Sequence, residues 1–331
     1  MKPASLAPTP PQPGRLWRAW LCVFATTLWA GSACFAAEAA RDAGSAAVEV
    51  AAGVYMVRGA AGEPDPANQG RVGNAGFIVG PTGVIAIDTG TSYAEGVALL
   101  AAVARVTDQP VRIVIVTHTR QEFLFGAAAY RERGIMVHMH RDAARLMAAR
   151  CEGCLKTLRR VLGDEAMRGT TMFHADHEFD AAQRLDLIGR PVRVLFYGHS
   201  SGPGDVAVFD EATGVLFAGG LLDQQRIPDV QDSDLPGWKR ALDALRRLPI
   251  RTIVPGHGPA AGPQLVGVIE RYLGQLQGRV LELLSAGAAL SEVPDAVALP
   301  EFQEWDQYDT IHRRNASIVF LRFEREQMYS R

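Results

Sequence analysis

The sequence predicts an α/β protein of two β-sheets with helices outside them and a helical C-terminal segment. Three observations lead there. Short β-branched runs punctuated by Gly, Pro and Asn open the ordered part of the chain, a strand, helix, strand unit follows, and a second group of short strands precedes a mostly helical tail.

Order begins near Val48. The runs VEVAAGVYMVRG, NAGFIVG and GVIAIDTG read as strands joined by tight turns. Next, SYAEGVALLAAVARV carries apolar residues at helical spacing and leads into VRIVIVTH, nearly all apolar, as a strand buried on both faces is. In the second half QRLDLIG, PVRVLFYG, DVAVFD and GVLFAGG are successive strands. The helix LPGWKRALDALRRL follows, capped by Asp234 with Pro236 in its first turn, and then the strand RTIVPGHG. From Pro263 the chain is mostly helical, in PQLVGVIERYLGQLQGRVLELLSAG and NASIVFLRFEREQMY. The boundaries expected are a main domain over residues 47–262, preceded by a flexible lead-in at 37–46, and a helical extension at 263–331 packed on it.

The composition, 48% hydrophobic and 21% charged, is that of a chain able to bury a sizeable core. The first 36 residues read as a secretory signal: Arg15 and Arg18 precede an apolar run, Ala19 to Ala33, too short to span a membrane, and small residues close it. A retained signal is the only membrane attachment expected. Cleavage would remove Lys2, Arg15 and Arg18 and no acids, leaving 31 basic against 36 acidic residues, a net charge of -5 that speaks against a nucleic-acid partner. The expected location is periplasmic or secreted. Cys22 and Cys34 would leave with the signal, so Cys151 and Cys154, in RCEGCLKTLRR, remain. Outside the cytosol such a CxxC is expected to form a local structural disulfide, with a redox pair or half a zinc site as the other readings.

Three histidines follow predicted strands. His118 ends VRIVIVTH, His199 stands in GHSSGPGD, and His257 in VPGHGP. Strand exits are where folds of this class place sites, glycine lets backbone approach a ligand closely, and imidazole is a common ligand of zinc and similar metals.

The ordered set NAGFIVG, GVIAIDTG, VTHTRQEF, YGHSSGPGD, LFAGG and VPGHGP resembles the metallo-β-lactamase superfamily from Asn74 to Pro259. The resemblance implies that family's αββα four-layer sandwich and an ancestry in metal-dependent hydrolysis. It also implies that His118 is the first histidine of the HxHxDH motif, His199 that of the third motif, His257 the last ligand, and Asp88 the structural aspartate. The chain departs from the motif at Arg120, Glu122 and Phe123, where histidine, aspartate and histidine stand in the family, and at Gly220, where a bridging aspartate stands. A two-metal site cannot be assembled from these positions. His118, Glu122, His199 and His257 together suit one zinc or iron ion. Arg120 brings a permanent positive charge that cannot become a ligand.

Two readings of the site follow. One is a single-metal hydrolase of ester, thioester or amide bonds, with Glu122 as ligand or base and Asp205 orienting His199. The other is a metal-free, non-catalytic protein in which Arg120 holds an oxyanion in the former metal cavity. The secretory signal, FGAAAY, the CxxC insert and HRRNASIVFLRFE resemble the secreted metallohydrolases that accompany quinoprotein alcohol oxidation and sulfur oxidation, which implies a periplasmic redox partner. Four further features have ordinary structural readings. His138 and His140 alternate on one strand face, the geometry of a metal pair or of an ordinary strand end. His174 and His177 could pair with Asp176 or Glu178 or simply lie in an exposed loop, and His312 is expected to be structural or at the surface. Lys156, Arg159 and Arg160 are spaced as a solvated helix face.

Overall fold

A computed structural model describes residues 46–329. The expected signal and nearly all of the lead-in lie outside the described residues. Among the described residues twelve strands form two sheets. The first holds β1 (Ala47–Ala51), β2 (Val54–Val57), β3 (Ala75–Gly80), β4 (Gly83–Ile87), β5 (Val111–Val116), β6 (Met136–His140) and β7 (His177–Phe179), in that order. It is antiparallel through β4 and parallel from β4 to β7. The second holds β8 (Gln183–Leu185), β9 (Val192–Phe196), β10 (Val206–Asp210), β11 (Val215–Phe217) and β12 (Thr252–Val254), antiparallel except for the parallel β11/β12 pair.

Seven α-helices accompany the sheets among the described residues: α1 (Tyr93–Val106), α2 (Ala127–Arg131), α3 (Arg141–Leu162), α4 (Leu235–Leu245), α5 (Leu265–Ser285), α6 (Val293–Ala296) and α7 (Arg313–Tyr329). Three apolar layers explain the stacking. Ile85, Ile113 and Ile115 meet Val194, Val208 and Phe217 between the sheets. The other face of β5 and β6, through Val114, Val116, Val137 and Met139, packs under Leu100 of α1 and Met147, Cys151 and Leu155 of α3. On the far side Leu195, Phe209 and Leu216 pack under Trp238, Ile269, Tyr272 and Phe320. Each strand thus places alternate residues in two cores, which is why both faces are apolar and why the helices lie outside. The αββα sandwich expected from the sequence is present.

Local chemistry sets the helix starts. Ser92 caps α1 by accepting from Glu95 N, and Asp234 caps α4 by accepting from Gly237 N, with Pro236 in the first turn. Two expectations need correction. His177 lies on β7, a short edge strand whose register against β6 pairs His138 with His177, and not in a loop. Cys151 and Cys154 are free thiols. They lie three residues apart in the middle of the 22-residue α3, where Cys151 packs among core side chains and its sulfur accepts from Phe173 N at 3.3 Å. The C-terminal segment is also more than an outer layer. The π-helical turn Tyr308–His312 and the start of α7 carry Ile311 and Arg314 into the wall of a cavity that His118 and Glu122 also line.

Candidate functional site

Asp88 follows β4 in a left-handed conformation (φ 61°), which aspartate tolerates better than most residues. Its carboxyl accepts from Thr117 N at 2.8 Å and from Thr117 Oγ1 at 2.9 Å, and so fixes the turn that leaves β5. Thr117 Oγ1 also lies 2.8 Å from His118 Nδ1. When the threonine hydroxyl donates to Asp88 it accepts from Nδ1–H, which leaves Nε2 of His118 as the ring's lone pair. Burial keeps His118 neutral, bringing its pKa down to about 3, and pushes Asp88 up to about 7.

The next residues turn through Gln121–Phe123 and place Glu122 in the cavity. His257, arriving after β12, is held at both ring nitrogens: Nδ1 is 2.8 Å from Asp223 Oδ1 and Nε2 is 3.2 Å from Glu122 Oε1. Burial alone would neutralise this group, but the charge and hydrogen bond of Asp223, reinforced by Glu122, raise the pKa of His257. Burial likewise disfavours ionised Glu122, yet the hydrogen bond and charge of His257, helped by Arg120 and Arg226, bring it down to about 2. Both ring nitrogens of His257 thus face carboxylate oxygens, an arrangement that favours its protonated form.

Phe123 packs against both histidines. Its ring centroid is 4.1 Å from that of His118 and 5.2 Å from that of His257. The ring also rests on Gly73, where an added Cβ would come within 2.6 Å of it. At Gly220 a Cβ would lie 2.7 Å from Asp205 Oδ2 and 3.0 Å from His118 Cδ2. Any side chain there displaces one of the two.

Arg120 lines the cavity with its side chain 30% exposed and donates from Nη1 to Asp229 Oδ2 at 2.7 Å. Arg314 of α7 pairs with the same carboxylate. Arg150 of α3 pairs with Asp232 at 2.7 Å, and Arg226 joins Glu63 to Asp306 at 2.7 and 2.9 Å. The cavity encloses about 260 Å³.

Two expected site residues are placed otherwise. His199 is exposed, with Nε2 2.6 Å from the Asp232 carbonyl oxygen, and does not line the cavity. Gly198, at φ 83°, turns the chain immediately before it. Asp205 lines the cavity but accepts from Ser201 Oγ at 2.6 Å instead of orienting His199, and burial pushes its pKa up to about 6. His118, Arg120, Glu122 and His257 do converge on one cavity. Among the described residues no group of three or more His, Cys, Asp or Glu side chains has the arrangement of a metal ligand set. Outside the cavity, His140 caps α3 by accepting from Asp142 N, the rings of His138 and His177 are 4.5 Å apart, and His312 sits buried between Tyr272 and the Val297 carbonyl.

Sequence reasoning passed over Asp223, Arg226, Asp229, Asp232, Arg150 and Arg314. Asp223, three residues past LFAGG, stood close enough to a motif to be weighed. Arg314 had no local signal, since only tertiary packing brings α7 to the cavity.

Comparison with known proteins gives three results. The metallo-beta-lactamase superfamily model matches residues 68–257. A linear primary-alkylsulfatase from a Pseudomonas species is 21% identical over 262 residues, 68% of this chain and 49% of that protein, so the chain spans about half the length of this curated relative. A metallo-beta-lactamase from Pontibacter korlensis superposes with a TM-score of 0.55 at 21% identity over 69% of this chain and 98% of the other. Another from Hirschia baltica gives 0.53 at 19% identity over 69% and 96%. At these identities the superpositions speak to the fold.

Proposed function

Because this chain belongs to the metallo-β-lactamase superfamily, whose members commonly bind zinc, we propose that it retains the family's cleft as a pocket for a small oxyanion held by Arg120, without a metal ion. The observation that carries this reading is the clamp on His257. Both of its ring nitrogens are engaged, by Asp223 and Glu122, and the Phe123 ring packs against both it and His118. A metal ligand needs a free lone pair, and the two carboxylates favour a proton on each ring nitrogen, which would leave none. With His199 turned to a backbone carbonyl, the donor set does not fit a metal.

An anion here would rest on directed hydrogen bonds from Arg120 and not on net charge. Six carboxylates line the cavity against four arginines, but each is already engaged: Glu122 and Asp223 by His257, Asp229 by Arg120 and Arg314, Asp232 by Arg150, Glu63 by Arg226, and Asp205 by Ser201. Arg120 spends Nη1 on Asp229, and its other donors suit a carboxylate, sulfate or phosphate. A cavity of about 260 Å³ admits only a small molecule. The alkylsulfatase relative, named for a sulfate ester, makes sulfate the first anion to try. Secretion to the periplasm, beside quinoprotein or sulfur oxidation and a redox partner, belongs to the same proposal and rests on the N-terminal signal and the sequence resemblance.

A second reading, a single-metal hydrolase of ester, thioester or amide bonds, is favoured by one observation: His118 is neutral and Glu122 ionised in the same cavity, the protonation states ligands require. A bound zinc or iron ion would supply acidified water there. The test is metal content by elemental mass spectrometry on protein purified without metal affinity or chelator. It is paired with thermal melting in chelator and in sulfate, phosphate or acetate at matched ionic strength. No stoichiometric metal, indifference to chelator, and an anion-dependent rise in midpoint lost in Arg120→Ala are expected. Near one equivalent of metal, with a chelator-lowered midpoint, would overturn the anion reading in favour of the hydrolase.

A further inference from the structure

Residues 226–234 form neither helix nor strand, yet they are largely buried. Backbone polar groups in such a place need side-chain partners, and two residues of α7 supply them. Asn315 is fully buried and brackets Asp229: its Nδ2 donates to the Pro228 carbonyl at 2.7 Å, and its Oδ1 accepts from Val230 N at 3.1 Å. A further bond from Nδ2 to the Tyr272 hydroxyl, at 2.9 Å, ties the same amide to α5. Arg322, on the same stripe of α7, donates to the Val230 and Gln231 carbonyls at 2.9 Å each and to Ser233 Oγ at 3.1 Å. The other side of the segment faces the cavity. Asp229 receives Arg120 Nη1 at 2.7 Å, and Asp232 receives Arg150 Nη1 at 2.7 and 2.8 Å, with all four residues in the cavity lining.

We propose, on the reading of Arg120 as the anion's donor, that Asn315 and Arg322 are positioning residues of the cavity. By fixing residues 228–233 they aim Asp229 and Asp232, and through these carboxylates they set where Arg120 and Arg150 present their remaining donors. Asn315 holds the carbonyl before Asp229 and the N–H after it, so the carboxylate cannot swing without breaking one of those bonds. Arg322 spends a charged donor on three uncharged acceptors of the same segment, and bonds of that kind are roughly twice as strong as neutral ones. The hold matters because a guanidinium reads an oxyanion through a planar, directional fork, and a supporting group about 1 Å out of place is enough to spoil such a site. The C-terminal helix is thereby part of the pocket's construction, through side chains that do not line the cavity themselves.

The experiment is the arginine side-chain hydrogen–nitrogen NMR spectrum of the isotope-labelled whole protein, which needs no ligand. The guanidinium signals of Arg120 are assigned by their loss in Arg120→Lys. Those of Arg190, whose Nε donates to Asp210 at 2.6 Å, are assigned in the same way and report on the fold elsewhere. In the parent the bond to Asp229 should slow rotation of the Arg120 guanidinium and resolve its signals from those of freely rotating arginines. In Arg322→Ala and Asn315→Ala these signals should collapse onto the freely rotating set while those of Arg190 stay. Arg322→Lys, which keeps a charged donor, should restore most of the parental pattern. Arg322 is only half-buried, so its alanine variant should fold even if Asn315→Ala does not. Sulfate, titrated by calorimetry at matched ionic strength, should bind the alanine variants about five- to thirtyfold more weakly than the parent. No sulfate binding by the parent would overturn the anion reading, and the Arg120 signals would still decide the positioning roles. Arg120 signals unmoved in Arg322→Ala, or moving only together with those of Arg190, would overturn the proposal.

Discussion

Glu122 Oε1 lies 3.2 Å from His257 Nε2, and Asp223 Oδ1 holds the other nitrogen of the same ring at 2.8 Å. The two buried carboxylates thus share one buried imidazole whose protonated form they favour. His257→Ala removes that ring and leaves both acids without it. Unfolding free energy in urea should fall by about 3–5 kcal/mol. Adding Glu122→Gln should recover part of that loss, because one carboxylate then remains where two stood. A neutral His257→Ala would show that the ring is not protonated.

By the sequence resemblance, Arg120 and Phe123 would stand where the family motif holds histidine. Arg120→His together with Phe123→His removes a fixed cation and opens the space beside His118. The double variant should take up near one equivalent of zinc in elemental analysis and gain a chelator-sensitive melting midpoint. Retained fold without metal would show that more than these two positions closes the site.

Asp229 is shared by Arg120 and Arg314. Loss of either arginine leaves the carboxylate one partner, so each single alanine variant should cost only about 1 kcal/mol. Loss of both leaves an almost buried charge unpaired, and the double variant should cost about 3–5 kcal/mol. A double-mutant cycle by chemical denaturation measures the excess. Simple additivity would mean that Asp229 does not couple α7 to the cavity.

Burial raises the Glu95 carboxyl to about 8, against hydrogen bonds from Thr91 and the charge of Arg71. An acid with a raised folded-state pKa holds a proton that the unfolded chain has already released. Stability should therefore fall as pH rises from the ordinary glutamate value of about 4.3 toward 8, by roughly 1.4 kcal/mol per pH unit for this one group. Asp88 and Asp205, raised to about 7 and about 6, add the same sign over narrower windows. Glu95→Gln keeps an acceptor for Thr91 N and should flatten the slope between about pH 5 and pH 8 in denaturation series. An unchanged slope would assign the loss to the aspartates.

Legibility differed between fold and site. Strands such as Val111–Val116 and helices such as Tyr93–Val106 announce themselves through local periodicity, caps and turn residues, because the faces they bury repeat every two or 3.6 residues. The short edge strand His177–Phe179 did not, since three residues carry no period and their pairing with Met136–His140 is a tertiary event. His118, Glu122 and His257 were found because each sits beside a strand end within a recognisable motif. His199 shared that signal, yet one left-handed glycine sends its ring to the Asp232 carbonyl.

By itself the sequence determined the layered α/β fold and the chain positions that could face a site. Those properties are local: residue type, spacing and the side of a strand or helix on which a residue falls. Only the tertiary structure decided what these residues do. It set Asp223 against His257, brought Arg314 from the C-terminal helix to Asp229, and packed the Phe123 ring against two histidines. Partners 34, 85 or 134 positions apart meet because buried charge must find a counter-charge and buried apolar surface must find a neighbour, and such pairings leave no period in the chain.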